Sequence, residues 1–243
     1  MSFTRVYIPQ EELEETIEIK DRKIINKLRN VLRLKKRDKI CVFDGESKEY
    51  LYEVWEIEKD CIKIKKIKFL KEEKIFSCKI YLAFPLFKKE RIEFILEKAT
   101  ELGVFRFFPY MSERTVISKA PSSLVYERWR KIIIEATRQS QRILIPFLER
   151  PQLLPQIIKG PFRKKIVTTF SGNSIKEMEK IKSGDILLVI GPEGDFSPSE
   201  YDMLKKEGVF FLKLSPHILR VETAAIFSVG LVNYFLYGLY EKG

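Results

Sequence analysis

Two linked stretches decide the fold. They are Asp185-Ile-Leu-Leu-Val-Ile-Gly-Pro-Glu-Gly-Asp-Phe-Ser-Pro-Ser-Glu200 and Val209-Phe-Phe-Leu-Lys-Leu-Ser-Pro-His-Ile-Leu-Arg-Val-Glu-Thr-Ala-Ala225. Ile186–Ile190 is an apolar, β-branched run between Gly184-Asp185 and Gly191-Pro192, the pattern of a strand buried on both faces. Ser197, Pro198 and Glu200 then announce a helix: a capping hydroxyl, a proline at the first helical position and an S-x-x-E capping box. Gly208 is its stop, Val209–Leu214 a second strand, and Ser215–Val221 a second irregular loop before a long apolar helix opened by Glu222-Thr223. Two strand-to-helix loops after two neighbouring parallel strands gather beyond the strands' carboxyl ends, where open α/β sheets bind ligands.

Working outward, strands alternate with helices from residue 78 onward. Cys78–Phe84, Val104–Pro109, Ile143–Leu148 (short or at an edge, because it carries a proline) and Ile166–Phe170 are predicted strands. Lys88–Leu102 with its stop Gly103, Leu124–Gln141, a short piece around Ile157 and Ile175–Ile181 are predicted helices. This alternation gives an α/β layer with a mostly parallel sheet. Before residue 70 the period is different. Phe3–Ile8, Lys39–Phe43, Glu49–Ile57 and Cys61–Phe69 are predicted strands, the last with a slip at Lys66 that suggests a bulge. Asp44-Gly45 is a turn signal, and Asp21 caps a helix over Arg22–Leu34 whose apolar stripe is Ile24, Ile25, Leu28, Val31 and Leu32. These elements imply a small barrel, joined to the rest by the charged linker Lys71–Lys74.

The 243 residues carry 45 Lys and Arg against 34 Asp and Glu, a net charge of +11, which points to a polyanion, nucleic acid first, as partner. Three widely spaced cysteines (Cys41, Cys61, Cys78) and the single His217 argue against a zinc site or a disulfide framework. No metal is expected. The first five residues lack the apolar core of a signal peptide. Ala224–Tyr240, apolar almost all round, is short for a membrane span and contains Ser228, Asn233 and two glycines; a buried helix is the better reading. The expectation is a reducing, cytoplasmic protein without a membrane segment.

Backbone N–H groups at Gly191-Pro192-Glu193-Gly194, ahead of a capped helix, suit a carboxylate, a phosphate or a nucleobase edge; as a motif alone the stretch is equally a tight turn. No Lys-Ser/Thr follows it, so it is not a Walker A loop. Arg220 and Glu222 stand at the mouth of the last helix, as an ion pair with a helix-start carboxylate or as site residues. The densest basic run, Arg33, Lys35, Lys36 and Arg37, lies in a helix-to-strand turn from which side chains reach a phosphate backbone. Arg128, Arg130, Lys131, Arg138 and Arg142 add a basic helix face.

Together these residues resemble the ribosomal RNA small-subunit methyltransferase E family of the SPOUT superfamily. Gly191–Gly194 with Phe196-Ser197 and Glu200 carry the likeness, followed by Ile218-Leu219-Arg220, Val221 and Glu222-Thr223-Ala224. Val31-Leu32-Arg33, Glu97–Val104, and Glu135-Ala136-Thr137 with Gln139-Ser140 and Arg142 agree. The resemblance implies a PUA-like, RNA-binding β-barrel over residues 1–72. It implies a SPOUT methyltransferase domain with a deep trefoil knot over 73–243, a topology that general rules make least expected. It also implies a homodimer that uses S-adenosylmethionine to methylate N3 of a uridine in the decoding region of 16S rRNA. The implied cofactor walls are Thr168, Thr169 and Phe170; then Ile190, Gly191, Pro192, Glu193 and Gly194; then Leu214, Ser215, Ile218, Leu219, Arg220, Thr223 and Ala224. For catalysis, Arg220 would stabilise charge on the uracil oxygens as N3 loses its proton. Glu222 would accept that proton or hold Arg220. Three positions depart from the family's usual residues: Asp195 and Ser215 replace glycines and His217 an arginine. The alternatives are a non-catalytic rRNA-binding or assembly protein of the same fold, and a ribose 2′-O-methyltransferase.

Overall fold

Asp21 caps the first helix as its sequence predicts, its carboxylate accepting from Lys23 and Ile24 N–H. The helix then departs from the expected period. Residues Arg22–Asn26 form α1, but Lys27–Val31 widen into a π turn, so the 3.6-residue stripe is lost. Ile25 and Leu28 stay buried, whereas Val31 and Leu32 turn outward, 73% and 39% exposed. The computed structural model describes residues 3–9, 13–74, 78–87, 89–114, 121–176 and 184–240. The chain forms two compact units, residues 1–75 with 137–145, and residues 76–136 with 146–243.

The first unit is built on a five-stranded sheet. Its strands are β1 (Thr4–Tyr7), β2 (Thr16–Ile19), β3 (Lys39–Phe43), β4 (Lys48–Ile57) and β5 (Ile62–Glu72), in the order β1-β3-β4-β5-β2. Ile40, Val42, Tyr52, Val54, Ile62 and Ile64 on the sheet enclose a core with Ile25 and Leu28. The anticipated slip near Lys66 is a register shift between Leu51↔Lys68 and Tyr52↔Lys66. Strand β2 was not foreseen. Lys71 and Glu72, expected in a linker, instead finish β5, and the Glu73 carboxylate accepts from Ile143 and Leu144 N–H. Arg5 on β1 is the unit's polar hub. Its Nε lies 2.5 Å from Glu49 Oε1, and its other nitrogens donate to the carbonyls of Arg138 and Arg142 at 3.0 and 2.9 Å. Both side chains are nearly buried, which makes the pair costly to break singly.

The second unit is a seven-stranded parallel sheet flanked by helices. Its strands are β6 (Ile80–Pro85), β7 (Arg106–Met111), β8 (Phe147–Leu148), β9 (Gln152–Leu153), β10 (Lys164–Asn173), β11 (Ile186–Ile190) and β12 (Phe210–Leu212). The order is β12-β10-β11-β6-β7-β8, with β9 also on β7. Central β11 is buried at all five residues, as its unbroken apolar run predicts. Helices α2 (Lys89–Glu101), α3 (Ser123–Gln139), α4 (Leu154–Ile158), α5 (Pro198–Lys206) and α6 (Val221–Tyr240) complete it. Leu154, Ile157 and Ile158 of α4 and Leu204 of α5 pack with Ala83, Val167 and Leu187 of the sheet, and α6 packs on α2, β6 and β11. Gly208, at φ 66°, ends α5 in a conformation that costs other residues more. The strand expected over Ile143–Leu148 exists only at Phe147–Leu148; Ile143 and Leu144 are apolar because they are buried in the first unit. The helix expected over Ile175–Ile181 lies largely outside the described residues. Among the described residues no helix is long and apolar enough to cross a membrane.

Candidate active site

Because β10, β11 and β12 are parallel neighbours, the loops that follow them emerge at one edge of the sheet. The carboxyl-terminal half of β10 and the loops after β11 and β12 enclose a cleft of about 310 Å³, within the size range of small-molecule sites. Thr168–Phe170 of β10 form one wall. Ile190 and the turn Gly191-Pro192-Glu193 form the second, and Leu214, Ser215, Ile218, Leu219, Arg220 and Ala224 the third. Thirteen of the fifteen proposed cofactor residues therefore line one cleft. Gly194 and Thr223 do not line it, and both are exposed. Apolar atoms of Ile190, Leu214, Leu219 and Ala224 beside the hydroxyls of Thr168, Thr169 and Ser215 suit a small ligand with both apolar and hydrogen-bonding parts.

Each loop is held by identifiable contacts. The Tyr110 hydroxyl donates to the Ile190 carbonyl at 2.6 Å, and its burial pushes its pKa well above the ordinary tyrosine value. Behind the glycine-proline turn, α5 starts with the predicted reciprocal box. Ser197 Oγ accepts from Glu200 N–H and Glu200 Oε2 from Ser197 N–H. Glu200 Oε1 also accepts from Glu113 N–H, which ties α5 to the segment after β7. Hydrogen bonds from the Ser197 and Ser199 hydroxyls hold the Glu113 carboxyl below the usual range. A β-carbon on Gly191 would lie 3.2 Å from both Phe196 Cε2 and the Thr168 carbonyl oxygen, so this position is fitted to glycine by close approach.

Two departures from the family pattern are accommodated locally. Asp195 adopts φ 58°, a left-handed conformation that aspartate tolerates better than most residues. Its Oδ1 accepts from Phe196 N–H at 2.9 Å, and the Tyr201 hydroxyl reaches both its oxygens at 3.0 and 2.9 Å. Tyr201 in turn lies 2.6 Å from Thr169 Oγ1, so β10, α5 and the turn share one polar chain. Burial pushes the Tyr201 pKa up. Ser215 Oγ accepts from His217 N–H at 3.0 Å, which folds the third loop on itself; the exposed His217 lines the cleft.

Arg91 was missed at the level of sequence. It sits in the first turn of α2, donates to Glu193 Oε1, and places its Nε 3.8 Å from Glu222 Oε1. One guanidinium thus links the glycine-proline turn to the head of α6. Glu222 pairs with Arg91, and its Oε2 is buried with no hydrogen-bond partner. A signal was available, because α2 follows β6, the neighbour of β11, and the start of α2 must lie at the same edge. Arg220 is exposed on the rim of the cleft. The basic residues Arg33, Lys35, Lys36 and Arg37 are all exposed on the first unit.

Residues 74–233 match the family model described as an RNA methyltransferase domain, and residues 22–67 match the RNA methyltransferase PUA domain. The ribosomal RNA small subunit methyltransferase E of Mesomycoplasma hyopneumoniae is 32% identical over 222 residues, covering 89% of this chain and 93% of that protein. A putative methyltransferase from Legionella pneumophila, solved with bound SAM, superposes with a TM-score of 0.88 at 27% identity over 96% of this chain and 98% of its own. The ribosomal RNA small subunit methyltransferase E of Neisseria gonorrhoeae, bound to S-adenosyl methionine, gives 0.84 at 25% identity over 97% and 98%. By sequence along nearly its whole length, and by a fold shared with these two structures, this chain belongs to the ribosomal RNA small subunit methyltransferase E family.

Proposed function

We propose that the protein is an S-adenosylmethionine-dependent methyltransferase acting on N3 of a uridine in the decoding region of 16S rRNA. The observation that carries this reading is the cleft that β10 and the loops after β11 and β12 form together, in a chain of this family. The residues fit the cofactor: an apolar interior for a flat ring, hydroxyls along one wall, and Gly191 where a β-carbon would press on its neighbours. The proposed contacts are those of Thr168–Phe170, Ile190–Glu193, Leu214, Ser215, Ile218–Arg220 and Ala224; Gly194 and Thr223, which the resemblance also implies, lie outside the cleft. When bound, the cofactor supplies an electrophilic methyl group.

The chain's own residues handle the base and its proton. N3 of uracil is shielded by pairing or stacking, so the base must be unpaired to enter the cleft. Once it is placed in line, positioning contributes much of the rate. As the N3–H bond breaks, negative charge spreads to the uracil oxygens, and Arg220 on the cleft rim is set to stabilise it. Glu222 would accept that proton or hold Arg220. Its Oε1 pairs with Arg91, its Oε2 is buried without a hydrogen-bond partner and it does not line the cleft, so as acceptor it would have to turn toward the base. Arg33, Lys35, Lys36 and Arg37 would hold the RNA backbone. The route of the chain from edge strand β12 back to α6 on β6 and β11 supports the family's trefoil knot. Exposed Phe94, Phe227 and Tyr234 on the packed pair α2 and α6 support a homodimer.

Calorimetric titration with S-adenosylmethionine, followed by methylation of 16S rRNA and mapping of the product by mass spectrometry, tests this reading. Binding and a methyl group on uracil N3 are expected. Absence of cofactor binding would leave a non-catalytic rRNA-binding protein, and a methyl group on a ribose oxygen would redirect the chemistry. Arg220→Ala should abolish methylation in a protein that still folds.

A further inference from the structure

On the first unit, β4 and β5 lose register next to Trp55. Paired residues pass from Val54↔Ile64 to Glu56↔Lys63, so Trp55 is the extra residue of a bulge, and bulges re-aim a side chain. Here the result is an indole that is 52% exposed, on a strand whose neighbours Val54 and Tyr52 are fully buried. The basic turn is tied to this spot. Arg37 N–H donates to the Val54 carbonyl, and Val54 N–H donates to the Asp38 carbonyl, both at 2.8 Å. Arg37 itself holds φ 74°, a strained conformation for a side chain of that kind. Two ammonium groups hang over the ring, Lys36 Nζ at 5.5 Å and Lys65 Nζ at 5.9 Å from its centroid.

A protein gains nothing in its own core from an exposed tryptophan under two ammonium groups and next to a basic turn. That composition is what single-stranded nucleic acid requires: a flat face on which a base stacks, and positive charges for the phosphates on either side. We infer that Trp55 is a stacking platform for an unpaired base of the RNA, with Lys35, Lys36, Arg37 and Lys65 neutralising the flanking phosphates. The inference rests on the reading of the protein as an RNA enzyme and adds to it which nucleotide feature the first unit recognises. Charge selects the occupant. Lysines over an indole repel a cationic partner, and their flexible stems let a base displace them, because an exposed cation–π contact is weaker than a base-on-indole stack.

The test uses the full-length protein, a fluorescein-labelled single-stranded uridylate dodecamer and a blunt RNA duplex, titrated at several salt concentrations. The parent is expected to bind the single strand better than the duplex, with quenching of the emission that Trp55→Phe removes. Trp55→Ala should weaken single-strand binding about tenfold or more while leaving the salt slope unchanged, since no charge is removed. Trp55→Phe, which keeps a ring, should retain most of the affinity and serves as the control for folding. Lys36→Ala with Lys65→Ala should flatten the salt slope instead. Parent-like affinity of Trp55→Ala, or binding by the parent without quenching, would overturn the stacking role while leaving RNA binding intact; a peptide or protein partner for this face would show itself in that way. If the parent binds neither RNA at low salt, the RNA-binding reading falls and this inference falls with it.

Discussion

Replacing Asp195 by glycine tests whether the polar chain behind the cleft supports the glycine-proline turn. The family resemblance implies a glycine at this position, so the change looks innocuous. Two opposing effects set the outcome. Relief of the left-handed conformation at φ 58° returns about 1 kcal/mol. Against it stand two hydrogen bonds to an ionised carboxylate, one from Phe196 N–H and one from the Tyr201 hydroxyl shared between its oxygens. Bonds to charged groups are worth roughly 1.5–3 kcal/mol each; the lower figure suits a half-buried loop and gives about 3 kcal/mol lost. The net is a destabilisation of about 2 kcal/mol, a fall in Tm of about 4–8 °C for a chain of this size. Asp195→Asn keeps a carbonyl for Phe196 and tolerates the same φ, so it should lose about half as much. Asp195→Ala combines lost bonds with retained strain and should be the least stable of the three. Thermal unfolding by circular dichroism gives the ranking, and calorimetric titration with S-adenosylmethionine follows the cleft. A glycine variant as stable as the parent, or more so, would refute the reasoning, because the network would then hold nothing.

Other outcomes follow from the same contacts. Gly191→Ala places a β-carbon 3.2 Å from Phe196 and from the Thr168 carbonyl; this overpacking should cost about 1–3 kcal/mol in urea unfolding and weaken cofactor binding, with Gly191→Val worse on both measures. Arg5→Met leaves the buried Glu49 carboxylate with only the more distant Lys71, at 3.7 Å, and frees two carbonyls. It should cost about 3–5 kcal/mol, part of which the double variant Arg5→Met, Glu49→Leu should restore. At alkaline pH, burial raises the pKa of Tyr52, Tyr110, Tyr126 and Tyr201 and that of Tyr81 to about 12. A raised folded pKa means that the unfolded chain releases the proton first. The stability these tyrosines contribute is present below about pH 10 and is lost as pH rises toward their folded values. Of the ten tyrosines, these five should yield their phenolate absorbance only together with loss of ellipticity, and full phenolate absorbance in a chain that is still folded would contradict their burial.

What could be read beforehand was whatever a short window of sequence encodes. The five buried residues of β11, the Ser197 capping box and the Gly208 stop are local patterns, and each folds as its residues dictate. So is the Asp21 cap. Features that depend on distant partners were hidden. Val31 fits a helical stripe until the π turn rotates it into solvent. Ile143 and Leu144 look like strand residues because burial, whatever its source, selects the same side chains. Strand β2, Thr16–Ile19, alternates correctly but is embedded in an acidic run that masks it. Within the cleft, residues supplied by the two marked loops were legible from their motifs. Arg91 was not, since it reaches Glu193 across 102 positions of chain.

The way the first unit is assembled has a consequence for cutting the gene. Arg5 donates to carbonyls of Arg138 and Arg142, Glu73 accepts from Ile143 and Leu144, and residues 137–145 belong to the same compact body as residues 1–75. A fragment ended at Lys74 would keep every strand of the small sheet yet lose the acceptors of its central guanidinium. Its complement would carry Ile143 and Leu144 into solvent. The small sheet's integrity is written at two separated places in the chain, and any dissection into halves must carry the later nine residues back to the earlier piece, for instance as an added peptide.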